Sequence, residues 1–200
     1  MTEGLMPGGK FRAKRSVACR IAMVAVAALF GWLLAGRPAL ADYASDFKSC
    51  FAIETVGQAR VDTCTRVINS GRLKGRDLGR GLQTRAEGYR GTQQYDKALA
   101  DFDRAIQLEP TVAQIYGNRA ELHRVMRNYD KAIADATQAI RMDPSFNAFF
   151  TVRGLADEAK DDVAQARADY NKALAMPSKG ADGDWAQRVA RNRLQELDKK

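Results

Sequence analysis

The chain has 200 residues, of which 28% are charged and 46% hydrophobic, and its formal net charge is +8 at pH 7. Six of the 32 basic residues and one of the 24 acidic residues lie in the first 41 positions, which leaves 26 basic and 23 acidic residues, a net charge of +3, in the rest. So small a net charge, with positive and negative residues interleaved along the chain, argues against nucleic-acid binding. The number of residues after position 41 suits one domain.

The first 41 residues have the pattern of a secretory signal peptide. Basic residues over Lys10–Arg20 precede the uncharged apolar run Ile21–Gly36, and Ala39-Leu40-Ala41 matches an A-x-A cleavage signal. We therefore predict cleavage after Ala41 and a periplasmic or secreted mature protein. The alternative is an uncleaved membrane anchor, although the apolar run has 16 residues, fewer than the roughly 20 that span a bilayer.

Residues 42–78 are predicted to form a degenerate helical pair that contains two cysteines, Cys50 and Cys64. If Gly57 marks the turn between two antiparallel helices, each cysteine lies seven residues from it, at about the same height. Since an oxidising compartment favours pairing, we predict a disulfide between them. The alternative is a redox-active thiol pair, for which C-x-x-C spacing and a neighbouring histidine are lacking.

Self-similarity with a period of 34 residues organises the centre of the chain. When residues 79–112 are laid on residues 113–146, the motif Tyr95–Ala98 falls on the identical motif Tyr129–Ala132. A third copy follows over residues 147–180. A fixed period of this length indicates one small unit that is stacked repeatedly, and such units hide their apolar faces against each other.

Almost everything after Ala41 is predicted to be helical, because apolar and small residues recur at spacings of three or four. Short connections make neighbouring helices antiparallel. Residues 181–200 are expected to form a capping helix. The predicted helices are Tyr43–Ile53, Ala59–Asn69, Gly79–Gly91, Tyr95–Leu108, Val112–Arg127, Tyr129–Met142, Phe146–Lys160, Val163–Met176 and Asp184–Lys199.

The repeated positions resemble the tetratricopeptide repeat, a helix–turn–helix unit with this period. The residues that carry the resemblance in the first copy are Leu82, Ala86, Tyr89, Ala98, Phe102, Ala105 and Pro110. The resemblance implies an all-α fold, a right-handed α-solenoid of helix–turn–helix repeats with a C-terminal capping helix. It also implies a concave side, lined by the first helix of each pair, that binds a peptide or protein segment.

We call this concave side the inner face. Asn118 matches an asparagine with which related repeats hold a ligand backbone, whereas the basic residues of the family's carboxylate clamp are not all in register here. The alternative for this face is ordinary solvated helix surface. The residues predicted to lie on the inner face are Arg80, Gln83, Thr84, Glu87, Arg90, Gln114, Gly117, Asn118, Glu121, Arg124, Thr151, Leu155 and Glu158.

The chain offers little for catalysis, so we predict no enzymatic activity, cofactor, metal site or small-molecule substrate. Its single histidine, His123, occupies the position of Tyr89 in the preceding repeat and is expected to be a packing residue. Two cysteines alone fall short of a tetrahedral zinc shell. No nucleophile elbow, phosphate-binding glycine loop or H-E-x-x-H motif is present.

Acidic side chains on the helices are mostly expected to be solvated. Asp157 differs because it occupies the half-buried position of Tyr89 and His123, where an unpaired charge is costly. We expect it to form a salt bridge at the rim with Lys160 or Arg153, a binding role being the alternative. The acids predicted to lie on outer helical faces are Asp101, Asp103, Asp130 and Asp135.

These observations predict an exported, non-enzymatic interaction module that holds a segment of another protein. Small exported proteins with such repeats resemble envelope scaffolds or assembly factors, and the resemblance implies that role. The alternatives are a thiol-based redox or stress-response protein that uses Cys50 and Cys64, and an assembly subunit tethered to the membrane by its uncleaved leader.

Overall fold

The computed structural model describes residues 40–199, with side chains from residue 42 onward. Every regular element in this range is an α-helix, as predicted, and none of the helices is long and apolar enough to cross a bilayer. The signal peptide predicted over residues 1–41 falls outside the described residues except for its last two positions, and its cleavage stays a prediction. The described helices are α1 (Leu40–Phe51), α2 (Gly57–Asn69), α3 (Gly75–Gly91), α4 (Tyr95–Leu108), α5 (Ala113–Val125), α6 (Tyr129–Met142), α7 (Asn147–Glu158), α8 (Val163–Ala175) and α9 (Gly180–Leu197).

Helices α4 and α6 have the predicted bounds, whereas α3 and α9 each begin four residues earlier than predicted. Both early starts lie at a glycine with positive φ, Gly75 at +47° and Gly180 at +69°. Glycine adopts this left-handed conformation at no steric cost, so the chain turns into the helix at that residue.

The turn between the two helices of each repeat is the same in all three copies. Gln93, Arg127 and Asp161, spaced by 34 residues, have φ of 59°, 61° and 64°. The residue after each of them donates its backbone N–H to a carbonyl five positions back, for example from Asn128 to His123 at 2.8 Å. A side chain at positive φ lies too close to its own backbone, so each of these turns carries a local steric cost in free energy.

The core of the stack runs between the helices of each pair and between neighbouring pairs. Phe102 and Tyr170 are fully buried, and Tyr89 packs against the cluster that contains Phe102. Small residues let paired helices approach: a Cβ at Gly154 would lie 2.8 Å from Cε1 of Tyr170. Buried apolar clusters therefore follow one another along the stack of helix pairs.

A side-chain cap is present at the start of only one of the three second helices α4, α6 and α8. Polar residues precede α4, α6 and α8, but only Asp162 caps its helix, where its carboxylate accepts the N–H of Gln165 at 3.1 Å. Gln94 and Asn128 make no such bond, although their backbone conformations are nearly the same. The Gln94 side chain instead donates to Thr92 and accepts from Lys97.

A ladder of buried ion pairs repeats with the 34-residue period. In each repeat an arginine of the first helix binds both carboxylate oxygens of an aspartate 16 residues later on the second helix, at 2.7 and 2.8 Å. Each arginine also donates to the second helix of the preceding pair, at 2.7 to 3.4 Å. The pairs are Arg85–Asp101, Arg119–Asp135 and Arg153–Asp169.

This ladder corrects the prediction that four acids are solvated on outer faces. Asp101 and Asp135 are 7% and 9% exposed, because arginines of the adjacent helix cover and neutralise them. Asp103 and Asp130 are exposed as predicted, and each reaches a basic group of the next repeat, Arg119 and Lys160 respectively. Bidentate arginine–carboxylate pairs are strong and geometrically specific, so they help to fix how the two helices of each repeat pack. The third contact of each arginine links that repeat to the preceding pair.

The C-terminal helix α9 packs alongside α7, as a further first helix would. The Nδ2 of Asn147 donates to the carbonyl of Gly183 at 3.2 Å, and Thr151 Oγ1 donates to the carbonyl of Ala186 at 3.3 Å. The residues of α9 that become buried in this way are Gly183, Ala186, Ala190 and Leu197. Trp185 and Leu194 of α9 are partly buried against neighbouring hydrophobic clusters.

Candidate functional site

The inner face of the structure contains a cleft of about 330 Å³ between α5, α7 and α9. Five of the residues predicted for this face line it, at the end of α3 and along α5. The rest come from α7, the residue before it and α9, and they were not among the predicted site residues. The lining residues are Arg90, Gln114, Gly117, Asn118, Glu121, Phe146, Ala148, Phe149, Val152, Asp182 and Trp185, and together they define the cleft.

A chain of polar side chains crosses the inner face beside the cleft. Gln114 Nε2 donates to Asn118 Oδ1 at 3.1 Å, and Asn118 Nδ2 donates to Glu87 Oε1 at 2.7 Å. On the far side, Arg60 Nη1 lies 3.3 Å from Glu87 Oε2 and reaches this carboxylate from α2. The two amide side chains are therefore held in place by the fold before any ligand arrives.

The electrostatics of this polar chain are set by burial. Desolvation raises the pKa of Glu87, an effect that the nearby charges of Arg60 and Arg90 oppose and that of Asp182 reinforces. At the other end of the cleft, Arg124 binds both oxygens of Glu121 at 2.7 and 2.8 Å. Glu87 and Glu121 are thus each paired with an arginine. Positive and negative charges around the cleft are therefore balanced.

The floor of the cleft is apolar and depends on one glycine. A Cβ at Gly117 would lie 2.2 Å from Cε1 of Phe149, so only glycine lets this ring lie against α5. Phe146 contacts the Phe149 ring edge-on, with ring centroids 4.8 Å apart. Trp185 reaches the same space from α9 and packs against the cluster that contains Val152. This floor was not predicted, and its signal in the sequence is an aromatic cluster at the start of α7.

Two residues that were predicted to bind a ligand on the inner face, Thr151 and Glu158, contact α9 instead. Thr151 is fully buried beneath this helix, where its hydroxyl donates to the backbone. Glu158 is bound by Arg193 of α9 and accepts the phenolic O–H of Tyr170 at 2.8 Å. The prediction that Thr151 lies open to a ligand is wrong, because α9 takes the place of the next repeat. Leu155 lines a separate depression with Glu158 and Arg193.

The remaining predicted residues lie towards α1, away from the cleft. The Arg80 guanidinium lies 5.7 Å from the centroid of the Phe51 ring, and Thr84 Oγ1 donates to the Arg80 carbonyl at 2.9 Å. Gln83 is half-buried, and its Nε2 lies 3.5 Å from Glu87 Oε1. These residues extend the polar surface of the inner face without entering the cleft.

The predicted disulfide between Cys50 and Cys64 is present and joins α1 to α2. Both cysteines are fully buried and pack with Val67 and Leu73. A bridge closed off from solvent is hard for an attacking thiolate to reach, because exchange requires direct access to a sulfur atom.

The expected rim salt bridge of Asp157 is not formed. Lys160 binds Asp130, and Arg153 is taken up by Asp169. Asp157 is 6% exposed, and its Oδ2 has no hydrogen-bond partner among the described residues. Burial, with a contribution from the Asp169 charge, raises its pKa to about 6.

His123 is buried at the equivalent position, as expected of a packing residue. Burial lowers its pKa, and its Nε2 lies 3.9 Å from Asp135 Oδ2. In the part of the chain that the structure describes, no three histidine, cysteine or acidic side chains are placed to hold a metal ion.

Comparison with known families identifies the repeated unit. Family models of the tetratricopeptide repeat (TPR) match residues 79–112 and residues 118–181. The chain therefore contains tetratricopeptide repeats, as its sequence pattern predicted. Among curated proteins, none shows significant sequence similarity to it.

Solved structures share the fold. A TPR protein from Parabacteroides merdae is 15% identical with a TM-score of 0.58, over 78% of this chain and 62% of that one. The TPR domain of OM64 from Arabidopsis is 22% identical with a TM-score of 0.52, over 60% and 99%. The second TPR of Spaghetti (RPAP3), solved with the HSP90 peptide SRMEEVD, is 25% identical with a TM-score of 0.50, over 51% and 94%.

Proposed function

We propose that this chain of tetratricopeptide repeats binds a segment of another protein in the cleft between α5, α7 and α9. The observation that carries the proposal is the cleft itself, which combines an apolar floor with a rim of amide and charged side chains. Sites of this composition bind ligands through buried apolar groups that a few polar groups orient. The peptide complex of Spaghetti supports the same use of the fold.

The proposed mechanism is non-covalent. Gln114 and Asn118 are held by each other and by Glu87, which is itself held by Arg60. Side chains fixed in advance lose little rotamer entropy when a ligand binds, so more of the contact energy appears as affinity. Amide groups suit a peptide backbone, because each offers both donors and acceptors.

We propose that the module acts after export, in the periplasm or outside the cell, as an envelope scaffold or assembly factor. The support is the signal-peptide pattern of residues 1–41 together with the Cys50–Cys64 disulfide, since disulfides persist in oxidising compartments. The intact mass of the exported protein tests the first part. A chain that begins at Asp42 supports export with cleavage, whereas the mass of the whole chain indicates a retained anchor.

The binding proposal is tested by crosslinking in the exported compartment, followed by identification of the captured proteins. Replacement of Asn118 and Arg124 together by alanine is expected to lower capture about tenfold, with helicity by circular dichroism unchanged. The matched control replaces the same residue types, Asn171 and Arg141, which lie on second helices α8 and α6 and are exposed. Equal capture by both double variants would show that the partner does not use the inner face.

A further inference from the structure

The cleft is built to accept one kind of side chain. Its volume of about 330 Å³ lies at the low end of the roughly 300 to 1,000 Å³ of ligand pockets. That space suits one large side chain with its flanking backbone. The groups at its base are mainly apolar, namely the ring of Phe149, the side chains of Ala148 and Val152, and the indole of Trp185.

We propose that the cleft recognises an uncharged segment of a partner protein through one bulky apolar side chain that inserts between Phe149, Val152 and Trp185. This inference rests on the proposed function and names the ligand class of the same site. The side chain removes apolar surface from water on both partners, which is the main source of affinity at such anchors.

The charges around the cleft are balanced and so do not favour an acidic ligand. Among the described charged groups that line the cleft or belong to the polar chain beside it, taken with their ion-pair partners, carboxylates and guanidiniums are equal in number, and Arg60 and Arg124 are each held by a glutamate. The lining groups therefore offer an incoming carboxylate no net positive charge, because Arg90 is balanced by Asp182 at the rim and Arg124 is bound to Glu121. The charged groups concerned are Glu87, Glu121 and Asp182 on one side and Arg60, Arg90 and Arg124 on the other.

This arrangement separates the chain from the peptide complex of Spaghetti. The peptide SRMEEVD carries three acidic side chains close to its C-terminus. Such a ligand gains affinity from unpaired basic side chains, because like charges repel and opposite charges attract at short range. Here the residue that α5 contributes beside Asn118 is Glu121, which already binds Arg124.

The backbone of the proposed segment lies against the amides of α5. Gln114 and Asn118 make one hydrogen bond with each other, and an amide side chain has two N–H donors and two acceptor lone pairs. Capacity thus remains for a peptide N–H and carbonyl on either side of the anchor. The glycine at position 117, between them on the same helix, keeps the floor open at that point.

The experiment is an NMR titration of the ¹⁵N-labelled protein with blocked seven-residue peptides of serine and asparagine. Their central residue is leucine, phenylalanine, serine or aspartate, and the peptide SRMEEVD is the fifth probe. We expect the leucine or phenylalanine peptide to bind at least about tenfold more tightly than the serine, aspartate and SRMEEVD peptides. The shifts are expected at the Trp185 indole and the Gly117 amide.

Variants of α9 provide the control. Trp185→Ala is expected to reduce the preference for the leucine or phenylalanine peptide over the serine peptide to less than threefold. Arg188→Ala, at an exposed position on the same helix, is expected to leave it unchanged. Thermal unfolding shows whether each variant is folded, and a Trp185→Phe variant, which keeps an aromatic ring, retains the preference if the ring is the contact.

The outcomes distinguish this inference from the proposed function. Peptides that shift inner-face residues without a preference for an apolar centre, or a preference for SRMEEVD, would overturn the anchor and leave the binding module standing. A preference that survives in Trp185→Ala would also overturn the anchor. If no peptide shifts any inner-face residue and the Asn118/Arg124 double variant captures partners normally, both proposals fail.

Discussion

Substitution of Asp157 by asparagine should stabilise the protein above pH 7. The amide would keep the shape of the side chain but remove a charge that is almost completely withdrawn from water, given an exposed fraction of 6%. Among the described residues no cation forms an ion pair with this carboxylate, because Arg153 is bound to Asp169 and Lys160 to Asp130. Ionisation of Asp157 therefore destabilises the native state relative to the unfolded chain.

The size of the effect follows from the pKa. Burial raises the pKa of Asp157 from 3.8 to about 6, and one pH unit between folded and unfolded values corresponds to about 1.4 kcal/mol. The native state thus loses about 3 kcal/mol relative to the unfolded chain between pH 4 and pH 8. Because the pKa of Asp157 is raised in the folded state, its favourable contribution to the free energy of unfolding is complete below about pH 4. This contribution is lost as the pH rises through 6.

Urea unfolding followed by circular dichroism, for wild type and Asp157→Asn between pH 4 and pH 8, measures the effect. The difference in the free energy of unfolding is expected to be small at pH 4 and to approach about 3 kcal/mol in favour of the variant at pH 8. Asp96→Asn, at an exposed position of α4, is the control and should shift stability by less than about 0.5 kcal/mol at either pH. A variant that is no more stable at pH 8, or a difference that does not change with pH, would refute the reasoning.

Three further outcomes are expected. Replacement of Cys50 and Cys64 by alanine opens a loop whose ends are 14 residues apart, and should lower the free energy of unfolding by about 3 kcal/mol in urea titrations. Because both sulfurs are buried, equilibration with dithiothreitol should give a reduction potential below about −300 mV, and a clearly higher value would favour the redox alternative. Arg127→Gly should raise the free energy of unfolding by about 1 kcal/mol, since glycine removes the steric cost of a φ of 61°. The same glycine at exposed Ala100, inside α4, should lower it by about 1 kcal/mol, and equal effects at the two sites would contradict this explanation of the turn.

The repeat pattern shows how far helix prediction reaches in this chain. Tyr95–Leu108 and Tyr129–Met142 were predicted to the residue because the same motif starts both helices and a fixed period copies their ends. The ladder of Arg85, Arg119 and Arg153 follows the same period, so its signal is present in the sequence. Two of its aspartates, Asp101 and Asp135, were wrongly predicted to be solvated, since the face of a single helix does not reveal a partner on the helix beside it.

The sequence by itself determined the all-α class, the stacked pairs, the disulfide and the polar residues that α5 presents, since these depend on local periodicity and on spacing along the chain. Only the tertiary structure decided which part of the inner face is open. Helix α9 lies outside the repeat, so no internal comparison predicts where it docks, and its docking buries Thr151 while it brings Trp185 to the cleft. The charge state of Asp157 was likewise decided in three dimensions, because Lys160 and Arg153, its expected partners, bind carboxylates on other helices.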